Sequence, residues 1–154
     1  MELSVIYSRA LDGMCAPLVQ VETHLSNGLP SFHIVGMPET AVRESKERVR
    51  SALLNSHFQF PDRRITVNLA PADLPKEGGR FDLPIALGIL AASMQVELSG
   101  LDQHEFIGEL ALNGTLRSVP GVINAAQEAT KAQRSLVVPY CCSGLAAHVP
   151  NASI

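Results

Sequence analysis

The stretch "NLAPADLPKEGGRFDLPIALGILAAS", residues 68–93, decides the fold. It passes from an alternating apolar segment, through a loop rich in Pro and Gly, into a nearly all-apolar run. Asp82 is placed to cap a helix, and Pro84 is tolerated in a first helical turn. Apolar residues on every side of this helix predict that it is buried. The stretch predicts a strand, a tight loop and a core helix, and it raises the question of whether the loop also carries chemistry.

The residues before this stretch predict strands followed by one long helix. The segments "LSVIYSRAL" and "APLVQVETHL" are rich in Val, Ile and Leu, as strands are. Ser26-Asn27-Gly28 predicts a tight turn into "PSFHIVG", so the opening third is expected to be an antiparallel meander. Residues 38–55 then predict a helix, with Val42, Val49 and Leu53 along its apolar side.

The residues after residue 93 predict a hairpin, a helix and a last strand. The run "EFIGELALNGTLRSV" places two short apolar segments around Asn113-Gly114. Pro120 begins a helix that reaches about Gln133, and "SLVVP" follows as a strand, with a short helix after it. Residues 1–154 are therefore expected to form one α+β domain, a sandwich in which helices pack on one face of a mixed sheet.

Composition supports a single packed domain and leaves one local charge anomaly. The chain has 154 residues, 46% of them hydrophobic and 18% charged, with a net charge of −3. Eight of the twelve basic residues nevertheless fall between positions 43 and 80. This local excess favours binding to a phosphate backbone, and a solvated basic face explains it equally well. The candidate nucleic-acid-binding residues are Arg43, Lys46, Arg50, Arg63, Arg64, Lys76 and Arg80.

Cysteine and histidine usage indicates a cytoplasmic protein without a metal site. Cys15, Cys141 and Cys142 are an odd number of cysteines with no metal-like spacing, so reduced thiols are expected. The five histidines are scattered and show no paired spacing for zinc. The N-terminus lacks the features of a signal peptide, and the longest apolar run, residues 83–92, is too short to cross a membrane.

Two stretches closely resemble one family. "GLPSFHIVGMPETAVRESKERVRSAL" and "ITVNLAPADLPKEGGRFDLPIALGILAAS" resemble the N-terminal domain of the competence-associated ComM family of magnesium-chelatase-like AAA+ ATPases. "GELALNGTLRSVPGV" is similar to a later segment of that family, so the resemblance covers essentially the whole chain. It implies a fold like that of the proteolytic domain of Lon, the C-terminal domain of RadA and the second domain of the fifth small-subunit ribosomal protein.

The resemblance also implies a larger parent protein. An AAA+ ATPase module is expected beyond residue 154, and it is this module that would hold ATP and Mg. Relatives of this family are taken to act as hexameric helicases on branched DNA in transformation and recombination. The implied partners are the chain's own ATPase module and neighbouring subunits, with DNA as a further candidate. Neither a membrane nor a tetrapyrrole is implied.

The resemblance to Lon does not extend to its catalytic dyad. Lon activates a Ser with a Lys, because a serine hydroxyl alone is a poor nucleophile. When "KEGGRFD" is laid on the Lon pattern, Arg80 occupies the slot of the Ser, and Ile123 occupies the slot of the Lys. The loop also lacks the Gly-x4-Gly-Lys-Ser/Thr pattern of a nucleotide P-loop. This chain is therefore expected to be neither a peptidase nor an ATPase.

Three functions remain open from the sequence. The domain engages DNA through its basic residues, or it serves ring assembly as a protein-interaction module without DNA contact. A cryptic Lon-like hydrolase rests on fold analogy alone. The loop itself has two interpretations: Lys76 and Arg80 touch a nucleic-acid backbone, or Gly78 and Gly79 only let the chain turn tightly onto the helix.

Overall fold

A computed structural model describes residues 2–97 and 99–154. The strands are β1 Leu3–Arg9, β2 Leu18–Ser26, β3 Ser31–Val35, β4 Arg64–Ala70, β5 His104–Phe106, β6 Glu109–Leu110, β7 Leu116–Arg117 and β8 Ser135–Val137. The α-helices are α1 Thr40–Arg43, α2 Ser45–Asn55, α3 Asp82–Ala92, α4 Val122–Lys131 and α5 Ser143–Ala146. Short 3-10 turns occupy Leu101–Gln103 and Tyr140–Cys142.

A mixed six-stranded sheet in the spatial order β3-β4-β2-β1-β5-β8 forms the centre of the domain. β1 pairs antiparallel with β2, and β2 pairs antiparallel with β4. The remaining neighbours, β3 with β4, β1 with β5 and β5 with β8, are parallel. The expected α+β fold with a mixed sheet is confirmed.

The meander predicted for the opening third is wrong at its last strand. β3 does not pair with β2, because β4 lies between them and bonds to both. Parallel neighbours need a crossover connection, and α1 and α2 supply it between β3 and β4. The Asn27-Gly28 turn is therefore part of a loop that passes over the end of β4 and does not close a two-residue hairpin.

The helix predicted for residues 38–55 is interrupted. α1 ends at Arg43, Glu44 forms a turn, and α2 begins at Ser45. Glu44 stays in the right-handed helical region, with φ −66° and ψ −15°, so the chain direction changes little. The predicted apolar side is confirmed, since Val42, Val49 and Leu53 are buried.

Two apolar cores lie on opposite faces of the sheet. Ser4 and Ile6 of β1 face α3: the Ser4 hydroxyl donates to the Gly88 carbonyl at 2.8 Å, and Ile6 belongs to the main core. Neighbouring strand residues point to the opposite face. Arg9, on that face, donates to the Glu128 carbonyl of α4 at 3.4 Å. α2 and α3 therefore cover one face, as expected, and α4 covers the β5–β8 end of the other.

The later elements follow the sequence pattern closely. β6 and β7 form the predicted hairpin around Asn113-Gly114, and β8 is the predicted last strand. α4 is two residues shorter at its C-terminus than predicted, and Val122, Ala126 and Ala129 line its buried side. Among the described residues, no helix is long and apolar enough to cross a membrane.

Candidate nucleic-acid interface

Three basic residues form an exposed stripe along α1 and α2. Arg43 and Arg50 are exposed, and Lys46 is half-buried. Lys46 and Arg50 are four positions apart in α2, so they are neighbours on its surface. Within residues 2–97 and 99–154, no carboxylate lies within ion-pair distance of these three side chains. Arg43, Lys46 and Arg50, called the basic stripe from here on, thus present positive charge that no ion pair with a carboxylate neutralises.

Arg63 and Arg64 are placed differently from each other. Arg63 lines the same cavity as Arg50, and its Nη2 donates to Glu2 at 2.6 Å, so its charge is partly compensated. Arg64 is exposed at the start of β4, where alternation points it away from the helix-covered side on which Ile65 lies. The structure therefore brings Arg63 beside the basic stripe and separates Arg64 from it.

Lys76 is buried, which corrects the expectation that it faces a phosphate backbone. None of its surface is exposed, and its ammonium donates to the Gly36 carbonyl at 2.5 Å and to the Pro71 carbonyl. Its backbone is fixed as well, because its carbonyl accepts from the Glu39 amide at 3.0 Å. Burial lowers the pKa of Lys76. Lys76 pins the β4–α3 junction (residues 71–82) to the end of β3.

Arg80 is also buried, and the same correction applies to it. Only 3% of the residue is exposed; its Nε donates to the Arg9 carbonyl at 2.9 Å and its Nη1 to the Pro120 carbonyl at 2.8 Å. Burial lowers the pKa of Arg80 to about 10. Its guanidinium ties the β4–α3 junction to the end of β1 and to the segment just before α4, so it is not presented to a ligand backbone.

The glycines of the junction have a structural reason to be glycines. Gly78 has φ +74°, a conformation that side chains with a Cβ rarely adopt. A Cβ on Gly79 would collide with the Glu109 side chain. The loop is thus built for a tight turn and close packing, which supports the second of its two interpretations.

The two slots of the Lon dyad lie near each other but hold no acid–base pair. Arg80 contacts the carbonyl of Pro120, and Ile123 lies in the first turn of α4 just beyond it, 40% exposed. An alkyl side chain accepts no proton, and the guanidinium at the first slot is held by carbonyl groups. Lys131, the nearest lysine in sequence, lies at the far end of α4 and pairs with Glu128 at 2.9 Å.

Asp82 has a role that sequence reasoning missed. It was expected to cap α3, but Phe81 holds the N-cap position and no side chain caps that end. The buried Asp82 carboxylate instead accepts from Arg48 Nε at 2.7 Å, from the Leu110 amide at 3.0 Å and from the Ser45 hydroxyl. These hydrogen bonds raise the pKa of Arg48 and lock α2 onto α3 and β6. The Arg48–Asp82 pair therefore orients α2, the helix that carries Lys46 and Arg50 of the basic stripe.

A pair of aromatic residues beside the stripe was also missed. The rings of Phe32 and Phe60 are 5.6 Å apart between centroids, and both side chains are half-buried. The Arg50 guanidinium lies 5.0 Å from the centroid of Phe60. The signal in the sequence was "FQFPDRR", residues 58–64, where aromatic residues precede two arginines.

The remaining candidate residues are the cysteines and the potential metal ligands. All three cysteines are free thiols, with Cys15 and Cys141 exposed and Cys142 buried. Within the part of the chain that the structure describes, no group of three or more His, Cys, Asp and Glu residues is placed to hold a metal ion.

Comparison with known proteins identifies the family. The family model described as subunit ChlI of Mg-chelatase matches residues 21–141. The chain belongs to the ChlI family. The residues that match this family include most of β2, all of β3 and β4, the whole β4–α3 junction and the basic stripe.

The chain is also similar to individual bacterial proteins. The chain is 62% identical to competence protein ComM of Haemophilus influenzae over 138 residues, which are 90% of the chain and 27% of ComM. It is 55% identical to protein YifB of Escherichia coli over the same shares. An uncharacterized protein of Mycobacterium tuberculosis is 36% identical over the whole chain and 30% of its own length. The chain thus spans between a quarter and a third of these relatives. Family membership supports a Mg-chelatase-related AAA+ protein.

Proposed function

We propose that this chain is a non-catalytic DNA-engaging domain of a ComM-like AAA+ helicase that acts in transformation and recombination. The parent would carry an ATPase module beyond residue 154, bind ATP and Mg there, and assemble as a cytoplasmic hexamer. In this chain the partners would be that module, neighbouring subunits and DNA. Similarity to a competence protein supports the link to DNA uptake and recombination.

The basic stripe is the observation that carries this proposal. Lysines and arginines without carboxylate partners attract phosphate groups, since binding releases the counterions condensed on DNA. Lys46 and Arg50 of the stripe lie on α2, which the Arg48–Asp82 pair fixes in place, and Arg43 ends α1 just before it. Phosphate contacts alone read no sequence, and binding is therefore expected to be independent of DNA sequence.

Charge reversal of the stripe tests the proposal. Fluorescence anisotropy would measure affinity for fork and single-stranded DNA, for the wild-type chain and for the Arg43→Glu, Lys46→Glu, Arg50→Glu variant. With about three contacts, the slope of log affinity against log salt should be about −3 on duplex DNA, and binding by one domain should be weak. The variant should lose this binding and keep its melting temperature. Equal affinity of the two proteins would exclude the stripe as the DNA surface.

Ring assembly is a second candidate, and a different surface supports it. Ile123 and Leu145 line one shallow cavity near the start of α4 and are 40% and 53% exposed. Tyr140, close to Leu145 in sequence, is 92% exposed. Clustered exposed apolar residues mark protein interaction sites. If neither protein in the charge-reversal experiment binds DNA, alone or within the full-length ring, this apolar surface becomes the site to test.

A further inference from the structure

A cavity of about 400 Å³ opens directly beside the basic stripe. One wall comes from the start of β3, with Ser31 and Phe32, and the other comes from the loop before β4, with Phe60 and Asp62. Arg50 reaches it from α2. A volume of this size lies in the range of small-ligand sites, so it admits one planar ring system with its attached groups and excludes a base-paired duplex.

The walls of the cavity offer planar surfaces. Phe32 and Phe60 meet at an interplanar angle of 35°, and the Arg50 guanidinium lies over the Phe60 ring. Both phenylalanines pack against the main core with one side, which holds them in place. Rigid aromatic rings and guanidinium planes are the groups on which unpaired nucleic-acid bases stack.

The polar groups of the cavity are of mixed type. Arg50 brings a cation without a carboxylate partner, and the Ser31 hydroxyl and Asp62 carboxylate bring groups that can bond to the polar edge of a base. Arg63 is anchored by Glu2 and by Asn27, and its buried Nε has no hydrogen-bond partner among the described residues. The cavity therefore combines stacking surfaces, an exposed guanidinium and hydrogen-bonding groups at one end of the basic stripe.

From this combination we propose that the cavity holds one unstacked base of single-stranded DNA while the neighbouring phosphates contact the basic stripe. This rests on the proposed DNA-engaging function and adds to it a preference for single strands. In duplex DNA the bases are paired inside the helix, so only the phosphate contacts remain. A free nucleotide shares the same chemistry but lacks the adjacent phosphates, so it should bind far more weakly.

Replacement of one aromatic ring tests the proposal. Phe60→Leu keeps an apolar side chain against the core and removes the ring. We expect single-strand affinity to fall roughly fivefold or more and duplex affinity to stay unchanged, since one stacked base contributes about 1–3 kcal/mol. The matched control is Phe58→Leu, because Phe58 also packs against the core but does not line the cavity. Anisotropy on both DNA forms and the melting temperature would be measured for each protein.

A second test uses modified DNA and only the wild-type protein. An oligonucleotide with one 2-aminopurine in an otherwise plain strand should gain fluorescence on binding wild type, because stacking on neighbouring bases quenches 2-aminopurine in the free strand and the cavity holds it away from them. A single strand that lacks every base can make only the phosphate contacts. Its affinity for wild type should therefore be about that of duplex DNA, although the slope of log affinity against log salt differs between the two forms. Addition of free dAMP should not displace the strand.

Distinct outcomes separate the two proposals. Equal losses for Phe60→Leu and Phe58→Leu, equal losses on single-stranded and duplex DNA, or displacement of the strand by dAMP would overturn the base-binding site. None of these outcomes affects the proposed DNA-engaging function if reversal of the basic stripe still removes binding. Absence of DNA binding by wild type would overturn both.

Discussion

The basic stripe and the β4–α3 junction contain the same residue types and use them in opposite ways. Arg43, Lys46 and Arg50 project from a helix surface without carboxylate partners. Lys76 and Arg80 turn inward, and their charged groups donate hydrogen bonds to four backbone carbonyls. Charge count along the sequence therefore overstates the binding surface, because a lysine or arginine in a tight loop can serve as a hydrogen-bonding clamp. The comparison predicts that junction variants change stability and that stripe variants change binding.

The largest effect on stability is expected at Asp82, which ends the junction. Asp82→Ala leaves the Arg48 guanidinium and the Leu110 amide without their acceptor. Breaking a buried pair by removal of one partner costs about 3–5 kcal/mol, or about 10 °C in melting temperature for a domain of this size. Thermal unfolding followed by circular dichroism would measure it. Glu44→Ala, at an exposed carboxylate, is the control, and an Asp82→Ala melting temperature equal to that of the control would contradict the clamp.

Arg80→Met is expected to have the next largest effect. The Arg9 and Pro120 carbonyls lose their donors, while the cost of burying a desolvated guanidinium is relieved, so the net loss should be about 2 kcal/mol. The matched control is Arg64→Met, at an exposed arginine, which should change stability by less than about 0.5 kcal/mol. Urea denaturation would measure both. Equal midpoints for the two variants would remove the distinction between the junction and the surface.

Lys76→Met should cost about 1–2 kcal/mol, because the Gly36 and Pro71 carbonyls lose a donor and the methionine fills most of the same space. Lys46→Met is its matched control on the basic stripe and should be nearly neutral. The same urea experiment compares the pair. A larger loss for Lys46→Met than for Lys76→Met would reverse the assignment of the two regions.

The smallest change in stability is expected for neutralisation of the whole stripe. Arg43→Gln, Lys46→Gln and Arg50→Gln together should cost no more than about 1 kcal/mol, mainly through loss of the Arg50 contact with the Phe60 ring. Thermal unfolding at matched ionic strength would measure it. A loss as large as that of Asp82→Ala would show that the stripe is part of the structural framework.

The sequence predicted most elements because their patterns are local. The alternation of β4, the apolar run of α3 and the Asn113-Gly114 turn all depend on neighbouring residues. The insertion of β4 between β2 and β3 was not predictable in this way, because it depends on pairing between strands about 40 residues apart. A tight-turn signal such as Asn27-Gly28 specifies a change of direction and not the partner of the strand that follows.

The sequence placed residues of the candidate site together only where local helical spacing was enough to do so. Arg43, Lys46 and Arg50 were grouped because helical spacing places them together, and among the described residues no carboxylate pairs with them. The directions of Lys76 and Arg80 were missed, because their acceptors are backbone carbonyls, which every residue type carries and which a sequence pattern therefore does not reveal. The Phe32–Phe60 pair was missed for a different reason, because its two members are far apart along the chain.

The most direct measurement of the central claim compares three proteins side by side on one single-stranded oligonucleotide at about 50 mM and 200 mM salt. The proteins are wild type, the Arg43→Glu, Lys46→Glu, Arg50→Glu variant and Lys76→Met, each confirmed as folded by circular dichroism. The account predicts that the stripe reversal loses binding at both salt concentrations and that Lys76→Met binds as wild type does. Equal loss of affinity in the two variants, or loss in Lys76→Met alone, would contradict it.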